Sequence, residues 1–263
     1  MHSEAIEIAL MQTLAEFEEI SLNEMDNVKL MNRVDVKYLV PIKQLTQLLE
    51  QAIPFYKVLS IENRRIFNYQ TLYFDTNDFK LFRDHLTGRL NRYKIRLRDY
   101  VDSNQSFFEI KFKNHKGRTV KTRIKQEMGD LYWNKEKIHF LENNSPLKAE
   151  TLIPQIWVNY KRITLVNKFY SERLTIDVDL NFLKENKISS QNSFSIFEIK
   201  QDKTSTSPII KILKNRRLRP GSMSKYCLGV IQLMPNLKKN RFKPSIIQLN
   251  KLKRTYESTS NCE

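Results

Sequence analysis

Glycine is scarce in this chain, with five in 263 residues, and cysteine is scarcer still, with two. Neither a G-x-G-x-x-G fingerprint nor a G-x-x-x-x-G-K-[ST] loop occurs, which excludes the glycine-built backbone cradles for phosphate. Any phosphate bound here is held by side chains. Cys227 and Cys262 stand far apart, so there is no disulfide framework and no zinc spacing, as in a reducing compartment. His2, His85, His115 and His139 are scattered without metal-ligand spacing. No apolar run approaches the ~20 residues that a membrane span needs, and the acidic start is unlike a signal peptide. The expectation is a cytoplasmic protein.

Positive charge abounds instead: 45 Lys+Arg against 29 Asp+Glu, a formal net charge of +16. At 40% hydrophobic and 11% aromatic the chain can build a full core. The charge calls for a polyanionic partner: nucleic acid, phospholipid or a polyphosphorylated small molecule. Residues 1–30 run the other way, with seven acids and only Lys29 as a base, and Ile6, Leu10, Leu14 and Phe17 fall at helical spacing. An acidic amphipathic helix packed on the domain is expected there. After Pro235 come seven bases and two acids with no clear periodicity, a basic and partly ordered tail over 235–263.

Between those ends the dominant period is two. Strands are expected at 33–40, 66–75, 92–98, 107–113, 118–125, 157–165, 173–180 and 194–200. The fourth and fifth form a hairpin around His115 to Gly117. Pro41 is expected to open a helix through about residue 52, and helices are expected at 208–215 and 223–234. Residues 127–153 read as irregular or helical. Charge segregates by strand face. Arg92, Lys94, Arg96 and Arg98 oppose Tyr93, Ile95 and Leu97, and Glu109, Lys111 and Lys113 oppose Phe108, Ile110 and Phe112. Lys121, Arg123 and Lys125 repeat the pattern, as do Arg33, Asp35 and Lys37. Glu198 and Lys200 oppose Phe197 and Ile199. Arg173, Thr175, Asp177 and Asp179 are expected to share one face.

One such strand is most simply half buried with a solvated face. Several adjacent ones dominated by bases are unusual, because like charges placed opposite each other destabilise a sheet. A closed barrel with a charged lumen accounts for the pattern, as does a one-sided basic sheet. Phe-Glu-Ile-Lys occurs at both 108–111 and 197–200, which places two Glu-x-Lys pairs on equivalent faces. Ser224 and Lys225 stand near a helix start, where they could meet a phosphate or merely cap the helix.

In order along the chain come Arg33-Val-Asp-Val-Lys-Tyr38, Leu72-Tyr-Phe-Asp-Thr76, His85 with Gly88, Lys94-Ile-Arg-Leu-Arg-Asp-Tyr100, Phe108-Glu-Ile-Lys111 and Lys121-Thr-Arg123. Tyr160-Lys-Arg162, Arg173-Leu-Thr-Ile-Asp177, Phe197-Glu-Ile-Lys200 and Ser224-Lys-Tyr-Cys227 follow. This ordered set, from about Leu22 to Leu233, resembles the VTC domain of polyphosphate polymerases, among the CYTH-like triphosphate tunnel metalloenzymes. The resemblance implies an α+β fold, an eight-stranded antiparallel β tunnel with a charged lumen and helices packed outside, over residues 31–234. It implies phosphate-binding bases at Lys37, Arg96, Arg98, Lys111, Lys121, Arg162 and Lys225, assisted by Tyr160 and Ser224. Strand parity adds Arg33, Lys94, Arg123 and Lys200. Lys111, Arg96, Arg98, Arg162 and Glu198 are the expected catalytic set. Glu198 would bind a divalent metal, Mn²⁺ or Mg²⁺, with Asp177 or Glu109 as candidate co-ligands. The superfamily's Glu-x-Glu-x-Lys opening reads Arg33-x-Asp35-x-Lys37 here, which argues against adenylate cyclase or thiamine-triphosphatase activity.

The implied reaction is transfer of the ATP γ-phosphate to a growing inorganic polyphosphate chain. ATP or another triphosphate and polyphosphate are the expected partners, and a membrane partner protein would hold the chain peripherally at a membrane. A tripolyphosphatase or nucleoside triphosphatase would use the same residues with water as acceptor. A non-catalytic polyanion-binding module would keep the bases but not need Glu198. Nucleic acid is disfavoured, because single-strand binders interleave bases with exposed aromatics, and here the aromatics alternate to the apolar face.

Overall fold

The computed structural model describes residues 2–27, 33–202, 206–221 and 224–260. Its centre is one strongly curved sheet. Eight strands form a continuous antiparallel path: β2 (Arg33–Pro41), β11 (Phe194–Asp202), β9 (Glu172–Lys184), β8 (Ile153–Asn167), β4 (Phe67–Asp75), β5 (Arg92–Tyr100), β6 (Gln105–Lys113) and β7 (Thr119–Gln126). These are the eight expected strands. Three short ones join them: β1 (Glu19–Ile20) pairs β3 (Tyr56–Leu59), β3 pairs β8, and β10 (Lys187–Gln191) pairs β9. The free edge of β2 is covered at Tyr38 by Pro220, and Gly221 N donates to Lys37 O at 2.8 Å.

The period-two pattern puts apolar side chains outside, where helices bury them. α1 (His2–Ala15), α3 (Leu45–Ala52) and α6 (Pro208–Asn215) cover Tyr38, Ile163, Leu165, Leu174, Ile176 and Phe197. In α3 the burial of Leu45, Leu48, Leu49 and Ala52 is the i, i+3, i+4, i+7 stripe of a one-sided helix. Pro41 ends β2 rather than opening this helix, and a short 3-10 turn precedes it. The undecided stretch 127–153 contains α5 (Lys135–Asn144), capped by Asn134, whose Oδ1 accepts from Lys137 N at 2.9 Å. It covers Leu72, Ile95, Leu97, Phe108 and Ile110.

The acidic N-terminal segment docks through ion pairs: Glu7 with Lys161 at 2.9 Å, Glu18 with Lys168, and Glu19 with Arg65 at 2.6 Å. α2 (Leu22–Asn27) then starts in a capping box, in which Ser21 N donates to Glu24 Oε2 and Glu24 N donates to Ser21 Oγ.

A further expectation is corrected at Asp179. Asp179 does not share a face with Asp177: its φ of 51° sits at an irregularity in the β8–β9 register, so it turns outward onto Lys161 at 3.1 Å. The basic tail, expected to be partly ordered, is helical over most of its described length. It forms α8 (Lys243–Ser260), whose Leu249 is buried while Tyr256 packs beside α3 under Lys43. Tertiary burial, not a regular repeat, orders it.

Beyond that register shift the inner face becomes apolar. Leu39, Ile156, Val158, Leu180, Phe182, Phe194 and Ile196 continue the charged face toward one end of the tunnel, and α7 (Lys225–Leu233) packs across them. The approach is close at Gly229, where an added Cβ would stand 2.8 Å from Phe182 Cδ1 and 3.1 Å from Ile156 Cγ2. α4 (Lys80–Leu86) and α8 pack beyond α7. Only the rest of the lumen is charged.

Candidate active site in the tunnel

Two cavities open on the charged part of the lumen. The wider, about 670 Å³, is lined by Arg98, Lys121, Arg123, Arg162, Arg173 and Lys200, with Tyr69, Tyr100 and Phe107 among them. The narrower, about 260 Å³, holds Asp35, Lys37, Lys94, Lys111, Glu198 and Ser224, with His85, Arg92 and Lys113 toward its rim. Between them stand two buried carboxylates, each clamped by two bases. Glu109 receives Arg96 Nε at 2.7 Å on one oxygen and Lys121 on the other. Asp177 receives Arg162 in a bidentate fork, at 2.6 and 2.9 Å, and also Lys225.

Register explains these meetings. Lys94 lies opposite Lys111, and Lys111 opposite Lys121, so three adjacent strands present a row of lysines. One step along, Arg96 lies opposite Glu109, and Glu109 opposite Arg123. On the other wall Lys37 pairs with Glu198 at 3.8 Å, and Lys200 lies opposite Arg173. Tyr160 stacks on Tyr69 at 5.2 Å, with Lys225 4.6 Å from its ring, and among the described residues its buried hydroxyl has no hydrogen-bond partner. Ser224 caps α7, accepting from Cys227 N, and also receives Lys94 Nζ at 2.9 Å. Thus Ser224 is an N-cap that also faces the cavity. Arg123 lies over Phe107 at 4.3 Å, at the wide mouth. The side chain of Arg33 lies outside the described residues.

The crowding of bases is visible in their proton affinities. Burial, then repulsion from Arg96, Lys94 and Lys37, pushes the Lys111 ammonium down to about 6, against the attraction of Glu198. Burial pushes Lys121 down to about 8 even with Glu109 beside it. Lys94 is lowered by burial, with Lys37 and Arg96 adding to it. His85 is held near 2 by burial and by Lys94, Arg92, Lys113 and Lys111. The carboxylates move the other way. Burial alone would raise them, but Arg162 and Lys225 hold Asp177 at about 2, and Arg96, Arg98 and Lys121 hold Glu109 below the carboxylate range. Lys37 and Lys200 lead the groups that hold Glu198 well below its usual value.

Of the three candidate metal ligands, Glu109 and Asp177 have both oxygens engaged by bases. Among the described residues no group of three or more His, Cys, Asp or Glu side chains could hold a metal ion. Glu198, 15% exposed at the side chain, faces the narrow cavity with Asp35. That donor set fits a hard cation of the Mg²⁺ kind, which takes one or two carboxylates and completes its shell with phosphate oxygens. Sequence reasoning left Tyr69, Thr71 and Tyr73 out of the site, although Thr71 accepts from Arg98 Nε at 3.4 Å. Their alternation within 66–75 was the signal.

The curved antiparallel sheet around a basic lumen defines a triphosphate-tunnel fold. The chain belongs to the VTC domain family, which matches residues 32–234. Among solved structures it is similar to a putative adenylate cyclase from Bacillus halodurans, at 14% identity over 73% of this chain and 94% of that one, with a TM-score of 0.50. A Hippeastrum protein described as a putative adenylyl cyclase with a dominant triphosphatase activity aligns at 15% identity over 78% and 97%, TM-score 0.46. A Pyrococcus horikoshii protein aligns at 10% identity over 74% and 98%, TM-score 0.43. No curated protein matches the chain. Among the described residues no helix is long and apolar enough to cross a membrane.

Proposed function

We propose that this chain is a metal-dependent phosphotransferase that moves the γ-phosphate of ATP onto the end of an inorganic polyphosphate chain. The observation that carries the reading is the in-register row Lys94, Lys111 and Lys121. Like charges held opposite one another destabilise a sheet, and a multiply charged linear anion lying across them removes that repulsion. Phosphoryl transfer needs positioning and stabilisation of spread negative charge more than covalent help.

In this reading Arg96, Arg98 and Arg162 present forks to non-bridging oxygens, and Lys37, Lys111, Lys121, Lys200 and Lys225 act as point charges. Arg123 belongs to the wide end, and Tyr160 and Ser224 offer hydroxyls. Glu198, with Asp35 near, would hold a divalent cation, which would supply Lewis-acid stabilisation of phosphate charge. A terminal oxygen of the acceptor chain forms the new bond to the γ-phosphorus as the bond to the β-phosphate oxygen breaks, and ADP leaves. Glu109 and Asp177 act as counter-ions that keep the bases oriented until phosphates take their place. Residues 31–234 form the catalytic unit, with α1 docked on it through Glu7 and α8 packed beside α7. A cytoplasmic site of action goes with this reading.

The test is incubation of purified protein with ATP and Mn²⁺ or Mg²⁺, resolving long-chain polyphosphate from free phosphate. Long chains are expected, falling by about 10²-fold or more in Lys111→Ala and in Glu198→Ala. Free phosphate alone would assign water as the acceptor. Polyphosphate binding that persists in Glu198→Ala, with no turnover in either protein, would make the tunnel a binding module.

A further inference from the structure

The two mouths of the tunnel differ in chemistry. The wide one mixes Glu62 and Asp102 with bases, Arg64 is tied to Asp102 at 2.8 Å, and Leu59, Ile61 and Phe67 line it beside Tyr69, Tyr100 and Phe107. That is a surface for a ring and a sugar as much as for phosphate. The narrow mouth carries Arg92 opposite Lys113 at the end of the β5–β6 pair. From there the β6–β7 hairpin continues outward through Asn114, His115, Lys116, Gly117 and Arg118, the last four exposed.

This tip is held in shape by its own hydrogen bonds. Asn114 N donates to Arg118 O at 2.9 Å, Arg118 N donates to Asn114 Oδ1 at 2.9 Å, and Gly117 N donates to Asn114 O at 3.0 Å. Gly117 supplies the left-handed φ of 77° that the turn requires. Several surface bases elsewhere are paired, as in Lys161 with Glu7, Lys80 with Asp84 and Arg65 with Glu19. Among the described residues Lys113, Lys116 and Arg118 have no acidic partner.

We infer that the β6–β7 hairpin is a polyphosphate-binding track at the narrow mouth, which carries the distal part of a long chain as it leaves the tunnel. The inference rests on the polymerase reading and adds a direction to it: nucleotide at the wide mouth, polymer at the narrow one. Charge complementarity and continuity with the narrow cavity select the occupant. A chain long enough to pass Lys113 meets Lys116 and Arg118, whereas a triphosphate within the lumen does not.

The test compares the wild-type protein with a Lys116→Gln/Arg118→Gln double variant, both checked for equal thermal stability. Binding of tripolyphosphate and of long-chain polyphosphate is measured across a salt series. Tripolyphosphate affinity should be unchanged in the variant. Long-chain affinity should fall roughly tenfold, with a log–log salt slope shallower by about two, one per base removed. Products made from ATP should become shorter. Unchanged long-chain affinity and slope would overturn the track while leaving the polymerase reading intact. An equal loss toward single-stranded RNA would also overturn it, since the hairpin would then be a generic polyanion surface. If the wild-type protein binds no tripolyphosphate, both readings fall together.

Discussion

Lys111 is a lysine whose environment disfavours its charged form. Burial, and then the bases facing it, push it down to about 6, below neutral pH. A phosphate beside it reverses the balance, because an adjacent anion favours the charged form. Binding of tripolyphosphate at pH 7.5 should therefore draw in close to one proton at this residue. Calorimetry in buffers of different ionisation enthalpy reads that uptake, and it should disappear in Lys111→Met. Equal uptake in wild-type protein and variant would assign the proton elsewhere. The sequence showed that this side chain is a base on the charged face. It could not show the protonation state, which depends on neighbours from β2, β5 and β11.

At the scale of elements, α7 governs the site. Its N-terminus carries Ser224 and Lys225 into the lumen, and its depth is set by contact of Gly229 with Phe182 and Ile156. Gly229→Ala should overpack that contact, costing about 1–3 kcal/mol in denaturant unfolding. It should also weaken tripolyphosphate binding by moving Lys225 away from Asp177. Loss of stability with no loss of affinity would separate the seat of α7 from the position of Lys225. The strands and α6 were readable from their periods, because a single apolar face is written locally. α8 was not: its polar and apolar residues become a pattern only once Leu249 and Tyr256 have surfaces to cover. Asp179 was misplaced for a similar reason, since an irregularity shifts strand parity without a local sign.

Across the whole molecule, three luminal carboxylates are held low by bases, and this sets the acid response. The unfolded chain takes up protons near the ordinary carboxylate value of about 4, while Asp177 resists to about 2. Their contribution is present above the unfolded value and lost as pH falls through the folded one, so melting temperature should drop steeply below about pH 4. Lys111 acts in the opposite sense: its strain is greatest below about 6 and eases as pH rises toward the value of a free lysine. Asp177→Asn leaves Arg162 and Lys225 without their counter-charge, at a cost of about 3–5 kcal/mol. Tripolyphosphate should then raise the melting temperature of the variant more than that of the wild type. Equal shifts would show that phosphate does not stand in for this carboxylate.

The sequence alone determined the eight main strands, the inward set of bases and the exclusion of glycine-built phosphate loops, because alternation and the lack of glycine are local properties. Only the tertiary structure decided how those charges are used. Register set Lys94 against Lys111 and placed bases on Glu109 and Asp177. Packing of α7 filled one end of the inner face with apolar side chains, and the hairpin tip was left with its bases unpaired. Those outcomes depend on which strands become neighbours, and that is settled by burial across the whole sheet.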